Sequence, residues 1–171
     1  MILYHGSNMI IEDIDFNKCR PYKDFGQGFY CTEIKEQAEL MAKRVANIYG
    51  GSPYVTVFEV NEKVYSIDDL KIKIFDKPSK EWAVFVLNNR DRKFKDLCSE
   101  ENNQDNKYDM VVGPVADDDL ALLFRTFTRG LIDIDTLVKE MKYKRFSNQY
   151  SFHTPKILRY LKRIGDSKNG Y

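Results

Sequence analysis

The pattern of hydrophobic and polar positions predicts short strands and amphipathic helices in irregular alternation. An apolar run begins at Ile2 and stops at Gly6-Ser7, which is typical of a strand that ends at a turn. After residue 33, apolar residues recur at spacings of four, three, four and three, as on one face of a helix. This stripe consists of Ile34, Ala38, Met41, Val45 and Ile48. Gly50-Gly51 ends the predicted helix.

Segments rich in β-branched and aromatic side chains predict further strands, and capping residues predict further helices. The strands cover residues 54–60, 64–67, 108–114 and 146–152, with a short extension at 72–75. The helices cover residues 79–89, 117–124, 135–143 and 154–164. The charged segment 91–107 is predicted to be a surface loop and the stretch most prone to disorder. Because the order lacks a βαβ rhythm, we expect an α+β fold with mostly antiparallel pairing.

Length and composition indicate one globular domain over residues 1–171. Hydrophobic residues make up 43% of the chain and charged residues 31%, which is ordinary for a soluble domain. The three cysteines have no CxxC spacing, so they indicate neither a disulfide framework nor a zinc site and fit a reducing compartment. No apolar run approaches the roughly 18 residues of a membrane helix, and no cleavable leader is evident. We therefore expect a cytoplasmic protein without a metal and without a membrane partner.

Charge is nearly balanced over the whole chain but not along it. The net charge of +1 gives no global field that would draw the chain to nucleic acid or membrane. From Met141 onward there are eight Lys or Arg residues against Asp166 alone. This basic C-terminal segment could meet an acidic partner or a polyphosphate. A solvated helix face explains it equally well.

The segment Gly26-Gln27-Gly28-Phe29-Tyr30 joins two glycines to two aromatic residues just before the predicted helix. Glycine permits a positive φ or the close approach of a flat ligand. In a strand, Phe29 and Tyr30 point to opposite faces, so one can enter the core and the other a cleft. A glycine-bearing turn that leads into a strand explains the same pattern. The segment alone leaves both interpretations open.

Three fragments, in this order, resemble the diphtheria-toxin-like ADP-ribosyltransferases, which include the poly(ADP-ribose) polymerases. Residues 4–7 (Tyr-His-Gly-Ser) are similar to the strand-end histidine motif of that family, and residues 26–30 to its glycine-rich tyrosine segment. Residues 148–152 resemble the strand of the catalytic glutamate, with Gln149 in its place. The whole chain also resembles an uncharacterised bacterial domain family, through its Glu81-Trp82 helix and its Gly-Pro-Val-Ala-Asp segment at 113–117.

The resemblance implies an ADP-ribosyltransferase-like split core of two small, mostly antiparallel sheets with flanking helices, and NAD in the cleft between them. His5 would bind the hydroxyls of the adenine-side ribose. The Gly6 backbone, assisted by the Ser7 hydroxyl, would clamp the nicotinamide carboxamide, and Tyr30 would stack on the nicotinamide ring. The NAD-contacting set is completed by Gly28, Ala38 and Met41. The structural alternatives are a hydrogen-bonded strand-end histidine for His5 and a core tyrosine for Tyr30.

Gln149 is the main departure from the family pattern. A carboxylate beside the breaking glycosidic bond stabilises an oxocarbenium-like transition state, and a neutral amide cannot supply that charge. Gln149→Glu is therefore expected to raise nicotinamide release by roughly ten-fold or more. Gln149 could suffice for a slow or target-assisted transfer, another carboxylate could replace it, or the domain could bind a nucleotide without turnover. The candidate carboxylates are Glu81, Asp24, Asp117, Asp118 and Asp119.

Three functions are compatible with the sequence. The first is a mono-ADP-ribosyltransferase that uses NAD to modify an unidentified protein or nucleic acid; by resemblance it could be a toxin or effector with an antitoxin or immunity partner. The second is a non-catalytic NAD or ADP-ribose binding module. The third is a small nucleic-acid-binding protein that uses the basic C-terminal segment, although no such motif is present. Nicotinamide release separates the first two, and salt-dependent binding to nucleic acid would favour the third.

Overall fold

The computed structural model describes residues 1–115, 118–141 and 147–168. The strands are β1 Ile2–Ser7, β2 Phe29–Thr32, β3 Tyr54–Val60, β4 Ile72–Ile74, β5 Met110–Pro114, β6 Asn148–Phe152 and β7 Leu161–Lys168. The helices are α1 Lys35–Tyr49, α2 Lys80–Arg90, α3 Asp118–Thr128, α4 Ile134–Met141 and α5 Pro155–Leu158. Short 3-10 turns occupy Phe16–Lys18 and Glu62–Ser66. The predicted α+β class is confirmed.

The described strands form one sheet with the order β4-β5-β6-β2-β1-β3-β7. β4 and β5 are parallel, and the other five pairings are antiparallel. β1 pairs with β3 from Ile2 to Ser7, but it aligns with β2 only at Tyr4 and Thr32. Instead of the two small sheets that we expected, the structure has one sheet with a narrow junction between β1 and β2.

The two faces of this sheet carry different side chains because the side chains of a strand alternate. Tyr4, Thr32 and Gln149 are in register across β1, β2 and β6 and lie on one face, called the α1 face here. Tyr30, two residues before Thr32, lies on the same face. Helices α2, α3 and α4 cover its β5 end with a cluster that includes Trp82 and Leu120. The other face, called the α5 face, carries a second cluster. Its members include Leu3, Phe29, Cys31, Met110, Tyr150, Phe152 and Ile157.

Helix α1 is present as predicted, but its buried face differs from the predicted apolar stripe. Ala38, Ala42 and Ala46 are buried, whereas Met41 and Ile48 are 47% and 58% exposed. Small residues four apart allow the helix backbone to approach β1 closely. A Cβ atom on Gly6 would lie only 2.0 Å from the Ala38 carbonyl oxygen. Larger side chains do not fit in this contact, so Met41 and Ile48 of the predicted stripe lie outside it.

Two predicted elements are wrong because pairing between distant segments decides them. The predicted terminal helix ends at Leu158, and the chain then forms β7, which pairs with β3 along the edge of the sheet. The predicted strand at 64–67 is mainly the 3-10 turn Glu62–Ser66. In β7, Lys162 and Arg163 are exposed, so this part of the basic segment lies on a strand and not on a helix face, whereas Lys142, Lys144 and Arg145 lie outside the described residues.

The polar segment 91–107 has no helix or strand, as predicted, but it is ordered. Asn102 and Asn103 are fully buried. The Asn103 backbone N–H donates to Asn89 Oδ1 at 2.8 Å, and Asn103 Oδ1 accepts from the Tyr108 backbone N–H at 2.9 Å. These bonds satisfy a loop that has few apolar side chains to bury. The prediction of disorder is therefore wrong.

Candidate functional site

Tyr30 and Gln149 lie on neighbouring strands and on the same face of the sheet. Thr32 of β2 is opposite Gln149 of β6, and Tyr30 is opposite Ser151. On one side, Gln37 of α1 accepts from the Thr32 hydroxyl at 2.9 Å and donates to Ser147 Oγ at 2.7 Å. On the other side is Arg90, the last residue of α2. This surface over β2 and β6, from Gln37 to Arg90, is called the Gln149 furrow here.

A carboxylate lies in direct contact with Gln149. Gln149 Nε2 donates to Asp24 Oδ2 at 2.9 Å and, more weakly, to the Pro114 carbonyl oxygen at 3.3 Å. Arg90 Nε and Nη2 both donate to Asp24 Oδ1, at 2.9 and 2.6 Å. The Asp24 side chain is only 13% exposed. Three segments far apart in sequence therefore form one polar cluster of a guanidinium, a carboxylate and an amide.

The other candidate carboxylates lie in other elements of the fold. Glu81 Oε1 accepts from Lys73 Nζ of β4 at 2.8 Å, and β4 is two strands away from β6 in the sheet. Asp118 and Asp119 begin helix α3, and Asp117 lies outside the described residues. Among the described carboxylate contacts, Asp24 is the candidate that the structure brings to Gln149. Arg90 was missed in the sequence because nothing distinguishes it from any other basic residue at a helix C-terminus.

The Tyr30 side chain holds its own loop. Its hydroxyl donates to the Gly26 carbonyl oxygen at 2.7 Å and accepts from the Phe25 backbone N–H at 3.0 Å. Burial and the nearby Asp24 carboxylate raise the pKa of Tyr30, so the phenol stays neutral. The ring is partly buried beside Phe25 and His153. These contacts match the structural alternative for Tyr30, a tyrosine with a satisfied hydroxyl.

His5 lies at the narrow junction between β1 and β2. Its Nδ1–H donates to the Tyr30 carbonyl oxygen at 2.7 Å, and its ring stacks on Phe29 with a centroid distance of 4.1 Å. Burial lowers the pKa of His5 to about 4, so the imidazole is neutral near pH 7. Nε2 is then an acceptor, and it has no hydrogen-bond partner in the described residues. The structure brings His5 to the backbone of Tyr30, but the two rings lie on opposite faces of the sheet, so the expectation that both side chains face one cleft is wrong.

The glycines are required by contacts within the chain. A Cβ atom on Gly28 would lie 2.5 Å from His153 Nδ1, and one on Gly6 would meet the backbone of Ala38. Ser7 ends β1 opposite Tyr54 of β3. Met41 is exposed and lies one turn after Gln37, on the flank of α1 that borders the Gln149 furrow. Of the predicted NAD-binding set, Tyr30 and Met41 therefore border the furrow, whereas the glycines and Ala38 pack the fold.

His153 is a buried histidine that the sequence did not indicate as structural. Its Nδ1–H donates to the Gln27 carbonyl oxygen at 2.8 Å, and its Nε2 lies 2.8 Å from Ser151 Oγ. Burial lowers the pKa of His153 to about 4. Together with Asn103 Nδ2, which donates to the Phe25 carbonyl oxygen at 3.3 Å, it holds the loop that carries Asp24. In the sequence, the one indication of a structural role for His153 was its position directly after the predicted strand 146–152.

Comparison with protein-family models matches residues 1–163 to a family described as "Protein of unknown function (DUF3990)". The chain belongs to this family. No curated protein and no solved structure matches it. The expected kinship with a domain family of unknown function agrees with this finding.

The described part of this DUF3990 chain contains no group of three or more His, Cys, Asp or Glu side chains that could hold a metal ion. None of its described helices combines the length and apolar character needed to cross a bilayer. An open groove of about 480 Å³ adjoins the Gln149 furrow at Pro114, Ser147 and Asn148. The Gln149 furrow thus presents the Gln149 amide and the Asp24 carboxylate paired with Arg90, with this groove beside them.

Proposed function

We propose that this DUF3990 domain binds NAD along the Gln149 furrow and transfers ADP-ribose to a macromolecule. The observation that carries the proposal is the contact between Gln149 and Asp24. It provides an amide for a ribose hydroxyl and a carboxylate close to the position where positive charge would develop. The resemblance of residues 4–7, 26–30 and 148–152 to the ADP-ribosyltransferases supplies the reaction class.

The narrow junction between β1 and β2 supports an ADP-ribosyltransferase-like split core. A single aligned pair, Tyr4 and Thr32, joins a four-strand part (β4, β5, β6 and β2) to a three-strand part (β1, β3 and β7). His5 lies at this junction, but its ring is on the α5 face with Phe29, so it is not assigned a contact with a ligand in the Gln149 furrow. In this proposal the dinucleotide lies along the α1 face, with its nicotinamide end toward Tyr30 and Met41.

The reaction is a substitution at C1′ of the nicotinamide-side ribose. The bond from C1′ to the nicotinamide nitrogen breaks, and both electrons leave with nicotinamide, which departs as a neutral molecule. The nucleophilic atom of the acceptor forms the new bond to C1′ and gives up its proton to solvent water. Gln149 Oε1 accepts from a ribose hydroxyl, and the negative Asp24 carboxylate is close enough to favour the cationic transition state.

A second function is a binding module for NAD or ADP-ribose that does not turn the ligand over. The Arg90 guanidinium is the observation that favours it. Arg90 donates twice to Asp24 Oδ1 and so balances the carboxylate charge, while Gln149 is itself neutral. A cluster without net charge stabilises a developing cation less than a lone carboxylate does.

The test is incubation of the purified chain with NAD, with released nicotinamide measured by chromatography and NAD affinity by calorimetry. Gln149→Ala should lower nicotinamide release by about ten-fold or more, which corresponds to about 1.4 kcal/mol of transition-state stabilisation. Asn47→Ala is the matched control, because it removes an exposed amide on α1. NAD binding without release would favour the binding module. A folded wild-type chain that binds no NAD would contradict both functions.

A further inference from the structure

We infer that Asp24 and Gln149 act as one unit, in which Asp24 carries the negative charge and positions the Gln149 amide. A glutamate at position 149 then fits the site only when residue 24 is neutral. The inference rests on the proposed function for its catalytic consequence, but the pairing itself can be tested without any ligand. It assigns a positioning role to Asp24, which the resemblance does not include among the site residues.

The orientation of the Gln149 amide follows from its two partners. Asp24 Oδ2 and the Pro114 carbonyl oxygen are both acceptors, so only the NH₂ group of the amide can face them. The carbonyl end, Oε1, must then point away from Asp24. It has no hydrogen-bond partner in the described part of the chain, so it remains available as an acceptor in the Gln149 furrow.

Asp24 itself is held from both sides. Arg90 donates to Oδ1 through two N–H groups, and hydrogen bonds between charged groups are among the strong ones. The next residue, Phe25, is fully buried, and Gly26 turns the chain with a φ of 92°. The carboxylate is therefore fixed to the buried loop rather than carried on a mobile surface segment.

Replacement of Gln149 by glutamate would place a second carboxylate about 3 Å from Asp24 Oδ2, as the present Nε2 position indicates. Among the described residues the cation paired with Asp24 is Arg90, whose single positive charge is less than the charge of two carboxylates. Like charges at this distance force one group to take up a proton or to move away. Gln149→Glu alone should therefore disturb the cluster instead of giving the ten-fold gain expected from the sequence.

Replacement of Asp24 by asparagine disturbs the cluster in a different way. Arg90 presents only donors, so the amide oxygen of the new side chain should turn toward Arg90 and its NH₂ group toward Gln149. The Gln149 amide then has to flip, which turns its carbonyl oxygen away from the Gln149 furrow. A glutamate at position 149 accepts from the new NH₂ group without flipping. The double variant thus restores both the hydrogen bond and a single negative charge, now on residue 149.

The experiment is a double-mutant cycle of wild type, Asp24→Asn, Gln149→Glu and the combined variant. The weak bond to Pro114 is lost in both glutamate variants, so their comparison isolates the charge at residue 24. Asn47→Asp on the exposed side of α1 controls for an added charge. The measurements are the thermal melting temperature at several pH values, NAD affinity, and nicotinamide release at saturating NAD.

We expect each single variant to melt below wild type and to release nicotinamide about ten-fold more slowly or worse at saturating NAD. The combined variant should recover both properties. The melting deficit of Gln149→Glu relative to wild type should shrink as the pH falls from 7 to 5, because one carboxylate of the pair then takes up a proton. Such a pH-dependent deficit would not follow from a merely structural role.

Two outcomes would overturn the inference. One is Gln149→Glu melting like wild type while releasing nicotinamide faster. The other is a combined variant that melts no higher than Gln149→Glu. If wild type binds no NAD at all, the proposed function fails, yet the melting temperatures of the four variants still decide whether residues 24 and 149 are coupled.

Discussion

Gly6→Ala tests whether Gly6 is required by packing or by a ligand. The new Cβ atom would lie 2.0 Å from the Ala38 carbonyl oxygen and 2.8 Å from the Ala42 backbone nitrogen. Both are backbone atoms, so no side chain can turn aside. Helix α1 would have to move by roughly 1.4 Å before the shorter distance reached the 3.4 Å of ordinary contact.

Overpacking of this kind typically costs about 1–3 kcal/mol of unfolding free energy. For a domain of this size, that corresponds to a fall in melting temperature of roughly 2–4 °C per kcal/mol. The matched control is Gly165→Ala in β7, where a Cβ atom would meet nothing within 4 Å. Urea unfolding and thermal melting should show a clear loss for Gly6→Ala and almost none for Gly165→Ala.

Equal unfolding free energies of the two alanine variants would contradict a packing requirement at Gly6. In that case helix α1 moves aside without loss of unfolding free energy, and packing would not explain why residue 6 is glycine. A stable Gly6→Ala variant with reduced NAD affinity would favour the role that the resemblance implies, in which the Gly6 backbone holds the carboxamide.

Three further predictions follow from particular contacts. Unfolding free energy should fall as the pH drops from about 6.5 toward 4, because burial lowers the pKa of His5 and His153 to about 4 and the unfolded chain takes up protons first. A melting temperature that does not change over this pH range would contradict the burial of the two neutral imidazoles. Tyr30→Phe should lower the unfolding free energy by roughly 1–3 kcal/mol, because the Gly26 carbonyl and the Phe25 N–H each lose a hydrogen bond. A variant as stable as wild type would show that the Tyr30 hydroxyl does not make these bonds. Lys162→Glu with Arg163→Glu, on the exposed edge of β7, should leave nicotinamide release unchanged while altering which macromolecule is labelled; equal loss of both would argue against a separate acceptor surface.

The sequence pattern correctly predicted those helices and strands that depend on interactions between neighbouring residues. The spacing of apolar residues indicated α1. Ser79 caps α2, its hydroxyl oxygen accepting from the Trp82 backbone N–H at 3.2 Å, and α2 lies close to the predicted range 79–89. The strands β3, β5 and β6 lie within their predicted ranges. Periodicity and capping depend on a few neighbouring residues, so they can be recognised in a single sequence.

Contacts between distant segments decided what the sequence could not indicate. The exposed position of Met41 follows from the backbone contact between α1 and Gly6, which a hydrophobic pattern does not encode. β7 is a strand because β3 offers it a pairing edge. Asp24 and Gln149 are 125 residues apart, and Asp24 was one of five candidate carboxylates until the fold placed it beside the amide.

The identity of residue 149 can therefore be interpreted only together with residue 24. Gln149 alone suggests a lost catalytic charge, whereas Gln149 beside Asp24 keeps a carboxylate within hydrogen-bond distance. If the pair is one unit, related DUF3990 chains should vary at both positions together, with a neutral residue at position 24 wherever position 149 is glutamate. Two adjacent carboxylates without a second compensating cation would be costly in this half-buried site. An alignment in which acidic residues commonly occupy both positions at once, with no added basic residue nearby, would show that the two side chains are independent.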